Sequence, residues 1–273
     1  MLTARARSSS TPSRRSAGST GPSWPAGRDP ASGGRAESPL CGVLALLGLG
    51  AAHAGPFFGS RWHVDDRKPG VRILASADVD PTATIGPGSS VWHLAQVRGD
   101  ARIGPDCIIG RGAYVGTAVR IGARCKIQNY ALVYEPAVLE DGVFIGPAAV
   151  LTNDTFPRAV NPDGSLKSAH DWEAVGVVVR EGASIGARAV CVAPVVVGRW
   201  ATVAAGAVVT RDVPDHALVA GVPARRIGWV GRAGVPLTDL GDGRWQCPAT
   251  GDLYDTSDEG LVLRAPAGEG ADA

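Results

Sequence analysis

The sequence predicts an all-β fold built as a triangular parallel β-helix, and two observations support this prediction. A six-residue pattern of apolar and small residues recurs along much of the chain from Val79 to Pro214. The chain also contains 37 Gly and 20 Pro residues and only 5% aromatic residues. Such a composition suits many short strands joined by turns and disfavours a helical bundle.

The six-residue units, called hexads here, form two unbroken series. The first series has thirteen hexads from Val79 to Phe156, and the second has six from Val179 to Pro214. Position one of the first series is always Val, Ile or Leu, and position five is Ala, Ser, Cys, Val or Thr. Chance does not produce nineteen such units, so this internal repeat decides the fold.

Side-chain direction explains the period of six. Position five of one hexad and position one of the next are two residues apart, so in a strand both side chains point to the core. Positions two to four must then turn the chain. Gly occupies position two in eight of the nineteen hexads, which suggests that the turn needs positive φ there. Three strands and three turns make an 18-residue coil, and the hexads predict about six stacked coils.

Two segments flank the repeat. Residues 1–39 are rich in Ser, Arg, Gly and Pro without an apolar period, which is typical of disorder. The apolar run from Leu40 to Ala54 ends in an A-x-A site like a signal peptide, but the segment before it is unusually long. We therefore expect residues 1–70 to be a mis-assigned start or dispensable extension, with the working protein beginning near Val71. Residues 229–273 are expected to form a small hairpin that covers the last coil, followed by a tail.

A long interruption divides the β-helix domain predicted for residues 71–228. The segment 157–178 has 22 residues, which is not a multiple of six, so it must leave the coil as an excursion. Long irregular loops in compact domains are usually functional. We expect an active-site loop that reaches toward a neighbouring subunit, and the alternative is a surface flap with Trp172 packed on the coil.

Composition argues against several classes of partner. The balance of 27 basic and 26 acidic residues gives no reason to expect nucleic acid or an anionic membrane. Neither a C-x-x-C pair nor a zinc-like Cys/His cluster occurs in the sequence, and His93, His170 and His216 are not spaced like metal ligands. We expect no metal, and we expect the five cysteines to be buried small residues in a reducing compartment.

Several motifs resemble those of a known family. The repeat resembles the left-handed β-helix of hexapeptide-repeat acyltransferases, and this resemblance implies the handedness. The segment "VAAGAVVTRDVPDHALVAGVPARRIG" is similar to their closing coil, which implies acetyl-CoA as donor. The motifs "SSVWHLAQV", "CKIQNYALVYE", "GVFIGPAAVLTNDTFPRA" and "CPATGDLY" are similar to nucleotide-sugar 3-amino N-acetyltransferases, of the type that acetylates UDP-2-acetamido-3-amino-2,3-dideoxy-glucuronate or dTDP-amino sugars. The likeness covers about residues 71–255 and implies a cytoplasmic homotrimer with sites between subunits.

Asn129, in "CKIQNYALVYE", is the first predicted catalytic residue. It occupies position three of its hexad, at a corner of the coil, where turn geometry alone can account for an Asn. In the resembling enzymes an Asn at the matching "QN" orients the substrate amine, although many members have a second Asn where this chain has Tyr130. Glu135, the second predicted catalytic residue, holds the place of a His found in O-acetylating and some N-acetylating relatives. It accepts a proton, binds the ammonium, or is simply a solvated turn carboxylate.

The remaining site predictions concern binding. Expected substrate-binding residues occupy turns, the excursion or outward positions near the motifs: His93, Arg98, Lys126, Tyr134, Asn153, Asp154 and Arg158. Lys126 in particular suits a uronate carboxylate. Expected cofactor-binding residues are small residues beside the pantetheine arm and arginines near its phosphates: Ala187, Ala204, Ala205, Gly206, Arg211, Arg225 and Arg226. Arginines that merely solvate the end of the coil are the alternative. The oxyanion donor is expected to be a backbone N–H near Gly146 or Ala187.

Three functions stay open at this point. The first is acetyl transfer to the amine of a nucleotide-linked amino sugar. The second is O-acetyl transfer to a sugar or small polar acceptor, which requires a base such as His93 or His170. The third is a non-catalytic scaffold. A scaffold has no need for a corner Asn, a long excursion and an Arg-bearing closing coil together, so the enzyme hypotheses are favoured.

Overall fold

The computed structural model describes residues 62–64 and 70–264. Every regular element within these residues is a β-strand, which confirms the predicted all-β class. Most of the predicted extension 1–70, including the apolar run, lies outside the described residues, as do residues 265–273 of the tail. Trp62–Val64 pairs antiparallel with Arg72–Leu74, so the first coil has a neighbouring strand upstream of Val71.

The described residues form 27 strands, most of them two residues long. In chain order, β1 to β9 are Trp62–Val64, Arg72–Leu74, Asp78–Val79, Thr84–Ile85, Ser90–Val91, Gln96–Val97, Arg102–Ile103, Ile108–Ile109 and Tyr114–Val115. Strands β10 to β18 are Arg120–Ile121, Lys126–Ile127, Leu132–Val133, Val138–Leu139, Phe144–Ile145, Val150–Leu151, Val177–Val179, Ser184–Ile185 and Val190–Cys191. Strands β19 to β27 are Val195–Val197, Thr202–Val203, Val208–Val209, Ala217–Ala220, Arg225–Trp229, Thr238–Gly241, Arg244–Gln246, Leu253–Ser257 and Gly260–Leu263.

Successive strands pass in turn to three parallel faces. Face 1 stacks β2, β5, β8, β11, β14, β17, β20 and β22. Face 2 stacks β3, β6, β9, β12, β15, β18 and β21, and face 3 stacks β4, β7, β10, β13, β16 and β19. The chain therefore winds as a parallel β-solenoid of about eight turns within the described residues. The hexad count gave about six, because β2 and β22 lie outside the hexad series that were counted and extend the stack at both ends.

Register confirms the 18-residue coil. Lys126 pairs with Ile108 one coil below it, and Arg120 pairs with Val138 one coil above it. Across the interruption Phe144 pairs with Ser184, so the excursion is inserted without a change of register. The chain leaves the coil after β15 and returns at β16, and residues 152–176 form the connection.

The core contains the residues that the pattern assigned to it. Ile109, Ala113 and Val115 are each at most 1% exposed, as expected for positions one and five. The thirteenth hexad departs from the pattern, because Thr155 at its position five is exposed and Phe156 is 80% exposed. Of the five cysteines, Cys41 lies outside the described residues and the other four are buried free thiols. Burial raises the pKa of Cys191 to about 12, so this thiol is unreactive.

The position-two glycines are explained by close packing between coils, and the predicted explanation by positive φ was wrong. Positive φ occurs at position four, as in Asp100, Ala118 and Tyr130. At Gly110, an added Cβ would lie 2.7 Å from the backbone N of Asn129 and 2.8 Å from its Oδ1. At this glycine the next coil lies too close for a side chain to fit without displacement.

The C-terminal segment is larger than the predicted hairpin. Strands β24 to β27 form a four-stranded antiparallel sheet. Asp215 in the last coil donates its N–H to the carbonyl oxygen of Glu259 at 2.8 Å and accepts from Leu261 N–H at 3.2 Å. The Tyr254 ring is fully buried and packs edge-on against His216, with 4.9 Å between centroids. These contacts attach the sheet to the end of the solenoid.

Candidate functional site

Each coil has three corners, formed by positions two to four of its hexads. Corner 1 joins face 1 to face 2 and comprises residues 92–94, 110–112, 128–130, 146–148, 186–188 and 204–206. Corner 2 joins face 2 to face 3 and comprises residues 98–100, 116–118, 134–136, 152–154, 192–194 and 210–212. Corner 3 joins face 3 to the next coil and comprises residues 104–106, 122–124, 140–142, 180–182, 198–200 and 214–216.

A cavity of about 480 Å³ lies beside corner 1, and it is called the corner 1 cavity below. Its lining residues come from face 1 and corner 1: Trp92, His93, Ile108, Gly110, Arg111, Gln128 and Asn129. The cavity therefore brings together two of the predicted site residues, His93 and Asn129. The predicted Lys126 is exposed on β11 and pairs with the lining residue Ile108, which places it at the rim.

Asn129 has a structural role in the coil. Its Oδ1 accepts the backbone N–H of Arg111 at 2.9 Å. Asp141 and Asp215 accept backbone N–H groups in the same way at corner 3, at 2.8 Å from Ala123 and 2.7 Å from Arg199. Such a bond contributes on the order of 1 kcal/mol to stability. It occupies one lone pair of the amide oxygen, so Oδ1 keeps a second lone pair for a ligand.

Arg111 and Tyr130 form a pair beside Asn129. The Arg111 Nε donates a hydrogen bond to Tyr130 Oη at 3.2 Å. Tyr130 has φ of 59°, a conformation that costs a non-glycine residue about 1–2 kcal/mol. Its ring lies flat over Gly112, where an added Cβ would be 2.5 Å from Cε1. The glycine thus leaves room for the ring that orients Arg111.

The corner 1 cavity is electropositive. Of the described residues that line it, none is acidic, and Arg111 makes no ion pair with another described residue. His93 is fixed through Nδ1, which lies 2.7 Å from Ser76 Oγ. The cavity therefore has a guanidinium, an imidazole and an amide available for a polar ligand.

Corner 2 contains a second group of predicted residues. Glu135 Oε2 is buried without a hydrogen-bond partner among the described residues and lies over Gly116. The rings of Tyr114 and Tyr134 lie beside it, with 5.1 Å between their centroids. Burial raises the pKa of Tyr114, and the Glu135 carboxylate adds to this increase. Exposed Arg98 lies at the same corner two coils below.

Asn129 and Glu135 are therefore not brought together within one chain. They lie at opposite ends of β12, Asn129 at corner 1 and Glu135 at corner 2. Asn153 and Asp154 lie at the same corner as Glu135, at the start of the connection, and Arg158 follows within the connection. Asp154 Oδ1 accepts the N–H of Phe156 at 2.7 Å, and the carbonyl oxygen of Asn153 accepts the N–H of Val175 at 3.0 Å.

The three predicted arginines share one cavity at the end of the solenoid. This cavity of about 170 Å³ is lined by Val209, Arg211, Asp212, Val213, Pro214, Val219, Ala224, Arg225 and Arg226. Arg226 stacks on the Trp229 ring at 4.3 Å from its centroid, and none of the three arginines pairs with a carboxylate among the described residues. The small predicted residues lie elsewhere, at the upper part of corner 1, where Gly206 N–H donates to the Ala187 carbonyl oxygen at 2.9 Å.

Comparison with family models agrees with the coil geometry. The model described as bacterial transferase hexapeptide (six repeats) matches residues 69–117. The model described as hexapeptide repeat of succinyl-transferase matches residues 175–211. Both matches fall on segments that form regular coils in the structure. The predicted resemblance to hexapeptide-repeat acyltransferases is thereby confirmed.

Curated relatives match this chain over short segments. It is 57% identical over 53 residues to the dTDP-3-amino-3,6-dideoxy-alpha-D-galactopyranose 3-N-acetyltransferase of Aneurinibacillus thermoaerophilus, over 19% of this chain and 28% of that protein. It is 41% identical over 88 residues to the serine acetyltransferase of Escherichia coli K12, over 32% of this chain and 31% of that protein. The chain thus spans about a third or less of the length of these relatives.

Two solved structures are similar to part of this chain. PerB of Caulobacter crescentus, in complex with CoA and GDP-perosamine, is 28% identical with a TM-score of 0.34, covering 58% of this chain and 57% of PerB. The acetyltransferase domain of PglB from Neisseria gonorrhoeae, in complex with acetyl coenzyme A, is 28% identical with a TM-score of 0.36, covering 59% of this chain and 58% of that one.

Arg111 and its hydrogen bond to Tyr130 were not predicted from the sequence. The signal was available, because Arg111 is one 18-residue coil before Asn129 and one coil after His93, so all three lie in one column of corner 1. The described residues contain no cluster of three or more His, Cys, Asp or Glu side chains placed to hold a metal ion. Among these same residues, none forms a helix with the length and hydrophobicity to cross a membrane.

Proposed function

We propose that this hexapeptide-repeat transferase moves an acetyl group from acetyl-CoA to the amine of a nucleotide-linked amino sugar. The observation that carries the proposal is the corner 1 cavity, where Asn129 is accompanied by His93 and Arg111 without an acidic neighbour among its lining residues. The local identity with a dTDP-amino-sugar N-acetyltransferase supports the same acceptor class. A cytoplasmic location is part of the proposal, because acetyl-CoA is a cytosolic cosubstrate.

The chemistry suits an amide rather than a strong base. A neutral amine already attacks a thioester carbonyl, so it needs orientation and not prior deprotonation. The second lone pair of Asn129 Oδ1 accepts one amine N–H, which leaves the nitrogen lone pair directed at the thioester carbon. The new C–N bond forms, the tetrahedral adduct collapses with cleavage of the C–S bond, and the CoA thiolate receives the proton lost by nitrogen.

Glu135 is proposed to act from a neighbouring subunit. Its buried, unpartnered Oε2 suits an ammonium or a transferred proton, but it lies at a different corner from Asn129 within one chain. The predicted substrate contacts at corner 2, namely Arg98, Tyr134, Asn153 and Asp154, share this placement, and Arg158 follows in the connection. A complete site with both corners therefore requires a second copy of the chain.

The outer side of face 2 supports assembly into a homotrimer. Its outward positions on five successive coils are apolar: Tyr114, Leu132, Val150, Val190 and Val208. Such a continuous apolar surface is typical of a protein interface. We expect light scattering to give three times the chain mass of 27.9 kDa. Leu132→Glu should give monomers that lose transfer activity, and monomeric Leu132→Glu with full activity would contradict a site shared between subunits.

The proposed donor site lies in the upper coils. The cavity shared by Arg211, Arg225 and Arg226 fits the phosphates of acetyl-CoA, because three arginines and a single acidic residue, Asp212, line it. None of the three arginines forms an ion pair with another described residue. Ala187, Ala205 and Gly206 leave space at corner 1 for the pantetheine arm. A backbone N–H near Gly146 or Ala187 is proposed to donate to the developing oxyanion.

O-acetyl transfer is the second candidate function, and one observation favours it. His93 lies in the corner 1 cavity with Nδ1 fixed by Ser76, which leaves Nε2 for an acceptor hydroxyl. The two functions differ in the acceptor they need, so one assay separates them.

The decisive assay is thiol release from acetyl-CoA by the full chain. UDP- and dTDP-linked 3-amino sugars, the corresponding 3-hydroxy sugars and a no-acceptor control are offered in parallel. Release that depends on the amine supports the proposal, and mass spectrometry should place one acetyl group on nitrogen. Thiol release with hydroxyl acceptors alone would favour O-acetyl transfer. If no acceptor increases thiol release, the non-catalytic scaffold is the remaining hypothesis.

A further inference from the structure

We propose that Arg111, held by Tyr130, determines acceptor specificity by binding an oxyanion of the acceptor, either a diphosphate or a carboxylate oxygen. This inference rests on the proposed function and assigns a residue and a ligand class to the acceptor side of the site. It follows from three features of corner 1: position in the column, charge, and the orientation of the guanidinium.

Position places Arg111 within reach of a ligand bound at Asn129. His93, Arg111 and Asn129 occupy position three of three successive coils, and adjacent coils are about 4.8 Å apart. All three line the corner 1 cavity. Backbone bonds connect the column, since Gly112 N–H donates to the His93 carbonyl at 3.0 Å and Tyr130 N–H donates to the Arg111 carbonyl at 2.9 Å. An amine at Asn129 thus lies one coil from the Arg111 guanidinium.

Charge makes an anion the expected ligand for Arg111. The cavity has no acidic lining residue among those described, and Arg111 forms no ion pair with another described residue. Its partner Tyr130 is neutral. Arg124 provides the contrast at corner 3, where it pairs with Asp141 at 3.2 Å. Corner 1 therefore carries a positive charge that no ion pair among the described residues neutralises.

Orientation makes the guanidinium suitable for binding an oxyanion through two hydrogen bonds. Tyr130 Oη accepts from Nε of Arg111 at 3.2 Å, so both terminal nitrogens stay available for a planar, paired contact with phosphate or carboxylate oxygens. Tyr130 maintains this contact in a positive-φ conformation, with its ring packed over Gly112. Tyr130 is thus a positioning residue for Arg111.

The test compares Arg111→Gln, Tyr130→Phe and Arg120→Gln with the wild-type full chain. Arg120→Gln is the matched control, because Arg120 is also exposed and without an ion pair among the described residues but lies on face 3. Three acceptors are used: a nucleotide-linked neutral 3-amino sugar, a nucleotide-linked 3-amino uronate, and the methyl glycoside of a neutral 3-amino sugar, which has no anion.

Arg111→Gln is expected to raise KM for the nucleotide-linked acceptors by roughly 10-fold or more with little change in kcat. The methyl glycoside should show no change, and Arg120→Gln should leave all three acceptors unaffected. Tyr130→Phe should give a smaller rise in KM, about 3-fold, with the same dependence on the anion. A rise with both nucleotide-linked acceptors identifies the diphosphate as the oxyanion, and a rise confined to the uronate identifies the carboxylate.

Unchanged KM in Arg111→Gln, or an equal rise with the methyl glycoside, would overturn the inference. Calorimetric titration with the same nucleotide-linked amino sugars separates this result from failure of the proposed function. If the wild type acetylates none of the amines but binds them about 10-fold more tightly than Arg111→Gln does, the proposed reaction fails and the oxyanion site stands. If both proteins bind equally, the oxyanion site fails whatever the reaction is.

Discussion

Corner 1 at Asn129 and corner 3 at Asp141 share one hydrogen-bonding geometry but differ in the groups around it. In each, a position-three oxygen accepts a backbone N–H from the coil below, at 2.9 Å for Asn129 and 2.8 Å for Asp141. At corner 3 the carboxylate also pairs with Arg124, so its charge is satisfied locally. At corner 1 the side chain is a neutral amide that adjoins a cavity, and Arg111 has no acidic partner among the described residues. The hydrogen bond to the coil below explains why a polar residue occurs at each corner. The adjoining cavity and the Arg111 guanidinium distinguish the candidate site at corner 1 from the structural turn at corner 3.

The largest difference in activity between the two corners is expected when the glycines that pack against Asn129 and Asp141 are substituted. Gly110→Ala and Gly122→Ala each place a Cβ 2.7 Å from a backbone N, of Asn129 and Asp141 respectively. Both should lower the free energy of unfolding by about 1–3 kcal/mol, measured by denaturant titration. Gly110→Ala should also reduce kcat/KM by roughly 100-fold, because small displacements of a positioning group are costly. Equal activity in the two folded variants would erase the distinction between the corners.

His216, in the last segment of corner 3, is expected to make stability depend on pH without affecting catalysis. His216 is buried at 4% exposure and donates from Nδ1 to the Val230 carbonyl at 2.9 Å. Burial lowers its pKa, so the unfolded chain binds a proton at higher pH than the folded chain does. Its contribution to stability is therefore present above the unfolded pKa of about 6.5 and lost as the pH falls below it.

Denaturant midpoints between pH 5 and 8 measure this effect. The wild type should lose stability below about pH 6.5, and His216→Gln should show a flatter profile over the same range. An identical slope in both proteins would assign the pH dependence to other groups.

The smallest effect is expected from the ion pair at corner 3. The side chains of Arg124 and Asp141 are 65% and 47% exposed, so solvent screens their attraction. Arg124→Ala should cost at most about 0.5 kcal/mol in denaturant titrations and should leave acetyl transfer unchanged. A loss of activity in this variant would show that corner 3 also contributes to function.

The sequence was sufficient to predict the 18-residue coil, but not the number of turns or the role of the position-two glycines. Alternation in a strand forces positions five and one to the same face, so Ile109, Ala113 and Val115 could be assigned to the core from spacing alone. The number of turns was underestimated, because β2 and β22 lie outside the counted hexads. The role of the position-two glycines was mistaken, since the distance between coils is a property of the stacked structure and not of one hexad.

Placement of the candidate site was predictable in part. Asn129 and His93 were selected on motif resemblance, and they do share a cavity. Arg111 was missed, because an isolated "GRG" gives no reason to connect it with a tyrosine 19 residues later until the coils are stacked. The separation of Asn129 from Glu135 follows from the triangular cross-section. They are six residues apart in sequence, and that spacing places them at successive corners.

Asn129→Ala measured beside Asp141→Ala tests the central claim most directly. Both variants lose one capping hydrogen bond and should be destabilised by about 1 kcal/mol. We expect kcat/KM for amine acetylation to fall on the order of 100-fold in Asn129→Ala and to stay within about twofold of wild type in Asp141→Ala. If the two variants lose activity equally, or if Asn129→Ala acetylates the amine like the wild type, Asn129 is a turn residue and the acceptor site lies elsewhere.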